Sequence, residues 1–561
     1  MNENNRNFIL AIMLSIFIMM GWHYFYERPR IEAASTLEKK KPVAQLSIKQ
    51  NTPQAVAPIS REEAINHSKR VKIESKALSG SISLMGARID DIRLNDYKET
   101  ADKNSDSAVL LSPSGSGESY FAEVGWYSSF AGTTLPSADT IWKADKETLR
   151  PGEEVNLTWI NEDYVKFVIT ISLDNDYMFT IKQSVFNNGS KAIAISPYGL
   201  INRNYSPREK AAQILHQGPI GSFGGTLQDV TFADVKEKKN VVMESPKTDW
   251  IGITDKYWLT AFIPQKNIGC KSEFSYANKG GIDKYQVDFI VMQEVVDAGS
   301  SYEVTNHLFA GAKKVNLLDR YESEYNIRLF DRAIDFGIFY IITKPLFSIL
   351  NFFYRYCGNF GVSILIVTVL VKLAMFGMAN KSYRSMKRMK ALQPDVDRLK
   401  ASYADDKVKF NQAVMELYKR EKVNPVAGCL PLLVQIPVFF SLYKVLYVTI
   451  EMRHAPFFGW INDLSAPDPT SIFNLFGLLS VSPPAFLMIG VWPILMAITM
   501  YMQQSMSPPP ADEVQAKVMK FMPLMFLFMF SNFPAGLLIY WTWNNILSII
   551  QQYYINKQSG K

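Results

Sequence analysis

Residues 518–551 are apolar over a length too great for one bilayer crossing of about 20 residues, and Asn532-Phe533-Pro534-Ala535-Gly536 interrupts them near the middle. Two short helices joined by a tight turn satisfy both facts, because the proline stops one helix and the glycine permits a sharp reversal. Three further segments can span: 360–379 (FGVSILIVTVLVKLAMFGMA), 425–448 and 486–504. The expected α-helical transmembrane bundle has core spans at 360–380, 425–448, 486–504, 518–532 and 537–554, with a tail at 555–561. Short spans imply local thinning of the bilayer, at a modest cost for each ångström of mismatch.

At 561 residues the chain needs at least two folding units. Its mean hydropathy near zero averages a soluble part with a membrane part. Residues 8–26 (FILAIMLSIFIMMGWHYFY) read as a signal peptide or an uncleaved anchor. Trp22, Tyr24, Phe25 and Tyr26 suit an interface belt rather than a small-residue cleavage site, so an anchor over 1–26 is expected. Residues 27–70 have the Lys, Glu, Pro and Ser content of a tether. Alternating apolar residues then appear at 164–173, 177–186 and 285–296, separated by turn signals such as Asn187-Asn188-Gly189. Residues 71–318 are expected to form one large all-β antiparallel sandwich. The glycine-rich GPIGSFGGT at 218–226 does not join a strand to a helix, so an irregular loop is expected there and not a phosphate loop.

Three cysteines and five histidines are dispersed without metal-ligand spacing, and neither HExxH nor a Walker A loop occurs. No enzyme activity, metal site or cofactor is expected. A net charge of +7 is too mild to argue for nucleic-acid binding. The excess positives sit at 381–424, a loop that includes Arg384, Lys387 and Arg388, and by the positive-inside rule this loop is cytoplasmic. Counting crossings puts both termini inside, the β domain in the periplasm, 449–485 outside and 505–517 inside. Met386, Met389, Leu392, Val396, Leu399 and Tyr403, then Phe410, Val414, Leu417 and Tyr418, have helical spacing. They predict a hairpin with its tip at Ala404-Asp405-Asp406, either a topology signal alone or a docking surface for a ribosome or incoming chain. Residues 319–359 contain a linker and a helix lying in the interface, with Pro345 inside it.

Several polar groups fall where lipid is expected. Lys372 lies roughly eight residues, or about 12 Å, from the cytoplasmic end of its span. A charge there is costly unless it faces protein or water. Thr368 sits one turn earlier on the same face; Gln435 lies in the next span, Asn544 and Asn545 in the last. Pro431 and Pro437 free backbone carbonyls that need protein or a water-filled cavity beside them. These groups suggest a wet groove; the alternative is a lysine that glues helices together. Met519, Met522, Met525 and Met529 repeat at near-helical spacing and offer a greasy sliding surface, or simple packing.

VNPVAGCLPLLVQIPVFFSLYKVL (423–446), APFFGWINDLSAPDP (455–469), KVMKFMPLMF (517–526) and FPAGLLIYW (533–541) resemble the YidC membrane protein insertases, relatives of the mitochondrial Oxa and thylakoid Alb proteins. The layout of anchor, linker, sandwich, interfacial helix and five spans resembles the Gram-negative members, whose sandwich has a sugar-mutarotase-like fold. The resemblance implies an inner-membrane insertase and chaperone. It implies that Lys372, which ends VTVLVK, is the single positive charge of a hydrophilic groove, in a position more often filled by arginine. It likewise implies client contacts at Thr368, Tyr540 and Trp541; Gln435 and Asn545, polar residues of neighbouring spans, are expected in the same groove. Its implied partners are nascent membrane proteins, membrane lipids, the Sec translocon (SecYEG and SecDF), the ribosome and the signal recognition receptor. A secondary transporter and a membrane-tethered carbohydrate-binding protein are the rival readings. The first lacks the internal repeats common in transporters, and the second leaves five spans unexplained.

Overall fold

The computed structural model describes residues 59–102, 104–130, 133–205, 215–243, 245–403, 406–423, 430–477, 488–507 and 513–558. The expected anchor at 8–26 and the tether as far as residue 58 lie outside the described residues. Ser60 and Glu63 form a reciprocal capping box that starts the helix Arg61–Asn66, and Arg61 pairs with Asp91 of the sandwich. The tether expected to reach residue 70 therefore ends by Ser60. A four-residue cap signature outweighs the polar composition around it.

Alternation produces the strands. Val165–Leu173 buries every second side chain, and it pairs with Met178–Asn187, which pairs in turn with Ser301–Ala312. These belong to a nine-stranded sheet that packs on an eleven-stranded one. In the larger sheet Ile193–Asn204 lies between Tyr120–Tyr127 and Ile282–Val291. Among the described residues the pairing is antiparallel apart from a short parallel contact of Arg70–Glu74 with Thr148–Leu149 and the isolated bridge of Ile59 with Ser116. Phe262 and Phe289 meet edge to face between the sheets, ring centroids 5.6 Å apart. The GPIGSFGGT segment is not an irregular loop. Gly218–Phe223 is a buried strand, and Gly224 and Gly225, both at positive φ, turn it back onto Thr226–Asp229. Gly-Gly is a two-residue hairpin signal, because both positions of a type I′ turn need positive φ.

The sandwich hands over to the helix Val315–Glu324 and then to the helix Tyr340–Cys357. Lys344 of that helix donates to Asp319 and Asp331 at 2.8 and 2.7 Å, and the Tyr340 hydroxyl also donates to Asp331. Ile341, Ile349, Phe352 and Tyr356 are exposed.

Left-handed Gly358 ends this helix, and the Asn359 side chain caps the first core helix, Phe360–Ala374. The straight span expected over 360–380 is broken: Phe376–Ala391 continues at 68° to it. The other core helices are Leu430–Val448, Val491–Ser505, Glu513–Phe530 and Ala535–Gln558. Among the described residues no single helix is long and apolar enough to cross a membrane; only the bent pair meets that length and composition. The 15 residues of Val491–Ser505 reach about 22 Å, against a hydrocarbon layer of about 30 Å. The last helix packs against the first, second and third core helices. Lys444 of the second core helix donates to Asp335 in the segment before Tyr340–Cys357 at 2.8 Å, and Arg453, just beyond that core helix, donates to the carbonyl of Lys98 in the sandwich at 2.7 Å.

Residues 385–428 fall in a compact unit of their own. Its helices Gln393–Ser402 and Lys407–Arg420 follow the bent helix, and Met389, Val396, Phe410, Val414 and Leu417 are buried. The first apolar run is two helices and not one. Pro394, near the start of Gln393–Ser402, favours a helix beginning rather than a continuous turn.

Candidate functional site: a polar seam in the helical core

The last helix presents Tyr540, Asn544, Ser548 and Gln552 at intervals of four, all buried. That spacing lines up one face of a helix, and three core helices converge on it. Ser548 is the residue that matters most for Lys372. Lys372 Nζ donates to Ser548 Oγ at 2.7 Å, and Ser548 Oγ donates to the Asn544 carbonyl at 2.8 Å. Lys372 lies in the last turn of the straight first core helix, just before the bend at Met375. The depth of about 12 Å inferred from a straight helix therefore does not carry over, because the chain beyond Ala374 runs off at an angle.

Thr368, one turn back, is buried, and its hydroxyl donates to the Ile364 carbonyl of its own helix at 2.6 Å. With Tyr540, Val371, Val438 and Leu442 it lines a cavity of about 10 Å³, room for about one water. The Gln435 side chain donates to the Tyr540 hydroxyl and joins the second core helix to the last. Lys372, Thr368, Gln435 and Tyr540 are thus brought together along one seam.

Two expected members of the site are not. Asn545 donates to Thr499 at 3.2 Å, so it faces the third core helix. Trp541 packs in an aromatic cluster with Phe439, Phe526 and Phe530, centroids 4.9 to 5.8 Å away, as its large apolar face demands. Of the methionines, Met525 and Met529 are exposed beside Phe521 and Phe528, while Met519 and Met522 are half-buried. The Met519 carbonyl accepts from Gln504 at 2.5 Å. In the bent helix Arg384 and Arg388 are exposed, and Lys387 is half-buried. Asp406 caps Lys407–Arg420 by accepting from the Lys409 amide at 3.0 Å; Asp405 lies outside the described residues.

The electrostatics of the seam are one-sided. The core helices hold a single carboxylate in sequence, Glu513, at the first residue of its helix. Lys444 has Asp335, whereas Lys372 has a hydroxyl. Ser441 Oγ, Thr542 Oγ1 and Gln552 Oε1 are buried without a hydrogen-bond partner among the described residues, which marks the core as a place where polar atoms are not saturated by protein. Sequence reasoning missed Ser548, Thr499 and Gln552; the four-residue repeat from Tyr540 was the available signal.

Residues 70–349 match the family model for the YidC periplasmic domain, and residues 352–561 match that for the 60Kd inner membrane protein. The chain is similar to the membrane protein insertase YidC of Rickettsia bellii (strain OSU 85-389), 59% identical over 99% of this chain and all of that one. It is also similar to the YidC of Rickettsia akari (strain Hartford), 59% identical with the same coverage. An active YidC insertase crystal structure with its first transmembrane domain resolved aligns over 87% of this chain and 93% of that one, with 17% identity and a TM-score of 0.38.

Proposed function

The chain belongs to the YidC family of membrane protein insertases, and from that premise we propose that Lys372 and the seam beside it receive the polar end of a client helix. It is an inner-membrane insertase with a periplasmic domain, its clients are nascent membrane proteins, and the transporter and carbohydrate-binding readings are not favoured. The observation that carries the proposed site is a half-buried ammonium that, among the described residues, is held by the Ser548 hydroxyl alone, while the core helices carry no carboxylate in sequence except Glu513.

The mechanism uses no fuel and no covalent step. Each strongly apolar client residue gains roughly 0.3–0.6 kcal/mol on entering lipid, while each charge at mid-membrane costs about 2.5–3.5. The apolar sum drives insertion; the barrier lies in carrying the polar end across. A cation without a counter-ion lowers that barrier most for acidic ends, and short core helices shorten the path. The client helix then leaves past the exposed Met525 and Met529 side of the fourth core helix.

In this reading the bent-helix basic residues Arg384, Lys387 and Arg388 lie on the cytoplasmic side with both termini, and the sandwich lies outside. The hairpin takes the ribosome or the signal recognition receptor, and the Sec translocon (SecYEG and SecDF) is the partner for larger clients. A photocrosslinker at position 372 tests the site against stalled nascent chains of increasing length. Labelling is expected within a narrow window of lengths as the client passes. A thiol at 372 that aqueous reagents on the inner side never reach sinks the proposal.

A further inference from the structure

A cavity of about 330 Å³ in the sandwich is lined by sandwich residues alone, the apolar Val109 and Leu110 with Arg203, Gln217, Asp255 and the run Lys256 to Trp258, and Lys256 also reaches Tyr447 of a core helix. That volume lies at the lower end of the range that small-ligand sites occupy. The chain turns here between the strands Thr248–Thr254 and Trp258–Ile263, and so delivers a cation between two polar or aromatic neighbours on each side.

The two cations of the cavity differ in what neutralises them. Arg203 donates to Asp255 Oδ1 at 2.8 Å and lies over the Tyr120 ring at 4.6 Å. Lys256 makes no hydrogen bond or ion pair among the described residues. Its ammonium meets only ring faces, Tyr447 at 3.9 Å and Tyr257 at 4.8 Å from the centroids. Burial pushes it down to about 8, with Asp463 opposing that shift and Arg453 adding to it. At neutral pH the amine is still largely protonated, so the cavity keeps one cation that no carboxylate among the described residues pairs with directly, Asp463 acting on it only from beyond ion-pair distance.

The height of the cavity identifies what supplies a direct counter-ion. Tyr447 is the penultimate residue of the core helix Leu430–Val448, so Lys256 stands level with the end of a core helix. The Tyr257 hydroxyl reaches Ser465 at 3.5 Å, and Arg453 lies over the Trp258 ring at 5.4 Å. Tyrosine, tryptophan and basic side chains gathered at the end of a membrane helix mark the headgroup layer, and basic pockets beside such helices hold lipid phosphates.

From cavity, unpaired cation and level together, we infer that this pocket binds the phosphate of a phospholipid headgroup from the leaflet on the sandwich side. Lys256 is the counter-ion, and the Gln217 amide is a hydrogen-bond donor beside it. The inference rests on reading Leu430–Val448 as a membrane span, and it adds a fixed lipid between the sandwich and the core.

The test uses the full chain in phosphatidylcholine vesicles containing a phosphatidylglycerol with a photoreactive headgroup. Illumination is expected to label peptides around Lys256, and Lys256→Gln to reduce that labelling by at least about fivefold, the worth of one basic residue near an anionic headgroup. Lys256→Arg keeps the labelling and thereby shows that charge, not folding, was lost. Equal labelling of wild type and Lys256→Gln overturns the inference. So does displacement of the label by free glycerol phosphate, which assigns the pocket to a soluble anion. So does exclusive crosslinking of position 256 to the acidic segment of a client. Client insertion measured in the same vesicles separates the two readings: loss of labelling specificity with insertion intact sinks the lipid site alone.

Discussion

Lys372 and Ser548, 176 residues apart in sequence, are joined at 2.7 Å across the first and last core helices. The ammonium is held by a neutral hydroxyl, so its charge is positioned but not cancelled. A charge reversal at this position places an anion where an acidic client end must pass. Lys372→Glu is expected to cut insertion of a short-tailed, acidic client by at least about tenfold, equivalent to ~1.4 kcal/mol of barrier. Lys372→Arg, which keeps the charge and gains a fork of donors, is expected to insert the client as wild type does. Protease protection of the translocated tail in depleted cells reads both. Equal insertion by the two variants ends the case for a charge-dependent groove.

Ser548→Ala separates a wet seam from a dry one. The substitution removes the one protein hydrogen bond to the ammonium among the described residues. In a dry core an unpaired charge costs several kcal/mol, and Ser548→Ala then fails as badly as Lys372→Met. In a hydrated groove water replaces the hydroxyl, because exchanging one hydrogen-bond partner for another costs little. The expected loss of insertion for Ser548→Ala is less than about threefold. A loss matching Lys372→Met in the same assay points to the lysine as structural glue instead.

Much of the architecture was legible because its signals are local. Strand alternation at 164–173 and 177–186, and the Pro534-Gly536 break, each follow from a handful of adjacent residues. The glycine pair at 224–225 is equally local, but weighing GPIGSFGGT only as a phosphate loop or an irregular loop passes over its plain hairpin-turn geometry. Ser548 was harder. A serine in a membrane helix often bonds to its own helix, as this one does to Asn544, and only the bend at Met375 and the docking of the last helix make it the partner of Lys372. The packing of Trp541 was equally illegible, since its neighbours Phe439 and Phe530 come from other helices.

Asp288 gives the sandwich a pH dependence of predictable sign. It stands opposite Glu273 in adjacent antiparallel strands, and the Gln286 amide donates to it at 2.8 Å. Burial pushes its carboxyl up to about 7, with Gln286 opposing and the Glu273 charge adding to the shift. Between about pH 4 and 7 the folded chain keeps a proton that the unfolded chain releases. Stability from this group is therefore full below that window and lost as pH rises through it. The side chain is part-exposed, so the effect is discounted to about 1–3 kcal/mol. Asp288→Asn carries no charge to bury. It is expected to raise the unfolding midpoint of the sandwich by about 2–6 °C at pH 8 and to leave it nearly unchanged at pH 5. Thermal unfolding of the full chain in detergent, followed by near-ultraviolet dichroism, checks this. A midpoint difference that does not grow with pH refutes it.

Asp468 organises the turn from which the third core helix starts. It is buried, its Oδ1 accepts from the Trp460 indole at 3.1 Å and from the Thr470 amide and hydroxyl at 3.0 and 2.7 Å, and its Oδ2 accepts from the Trp492 amide at 2.9 Å. An anion is favoured there because Trp492 lies in the first turn of Val491–Ser505, where free amides and the helix dipole point outward. Gly490 permits the approach, since a Cβ on it would meet the Asp468 carboxyl carbon at 2.5 Å. Asp468→Ala leaves an indole and two amides without acceptors and is expected to cost about 3–5 kcal/mol. Asp468→Asn keeps one acceptor oxygen and is expected to fall between Ala and wild type. The measurement is limited proteolysis of the purified chain across 449–490, where the alanine variant should be cut at temperatures the wild type resists. If the two resist equally, the buried carboxylate does not hold this turn, and the start of the third core helix must be fixed by packing alone.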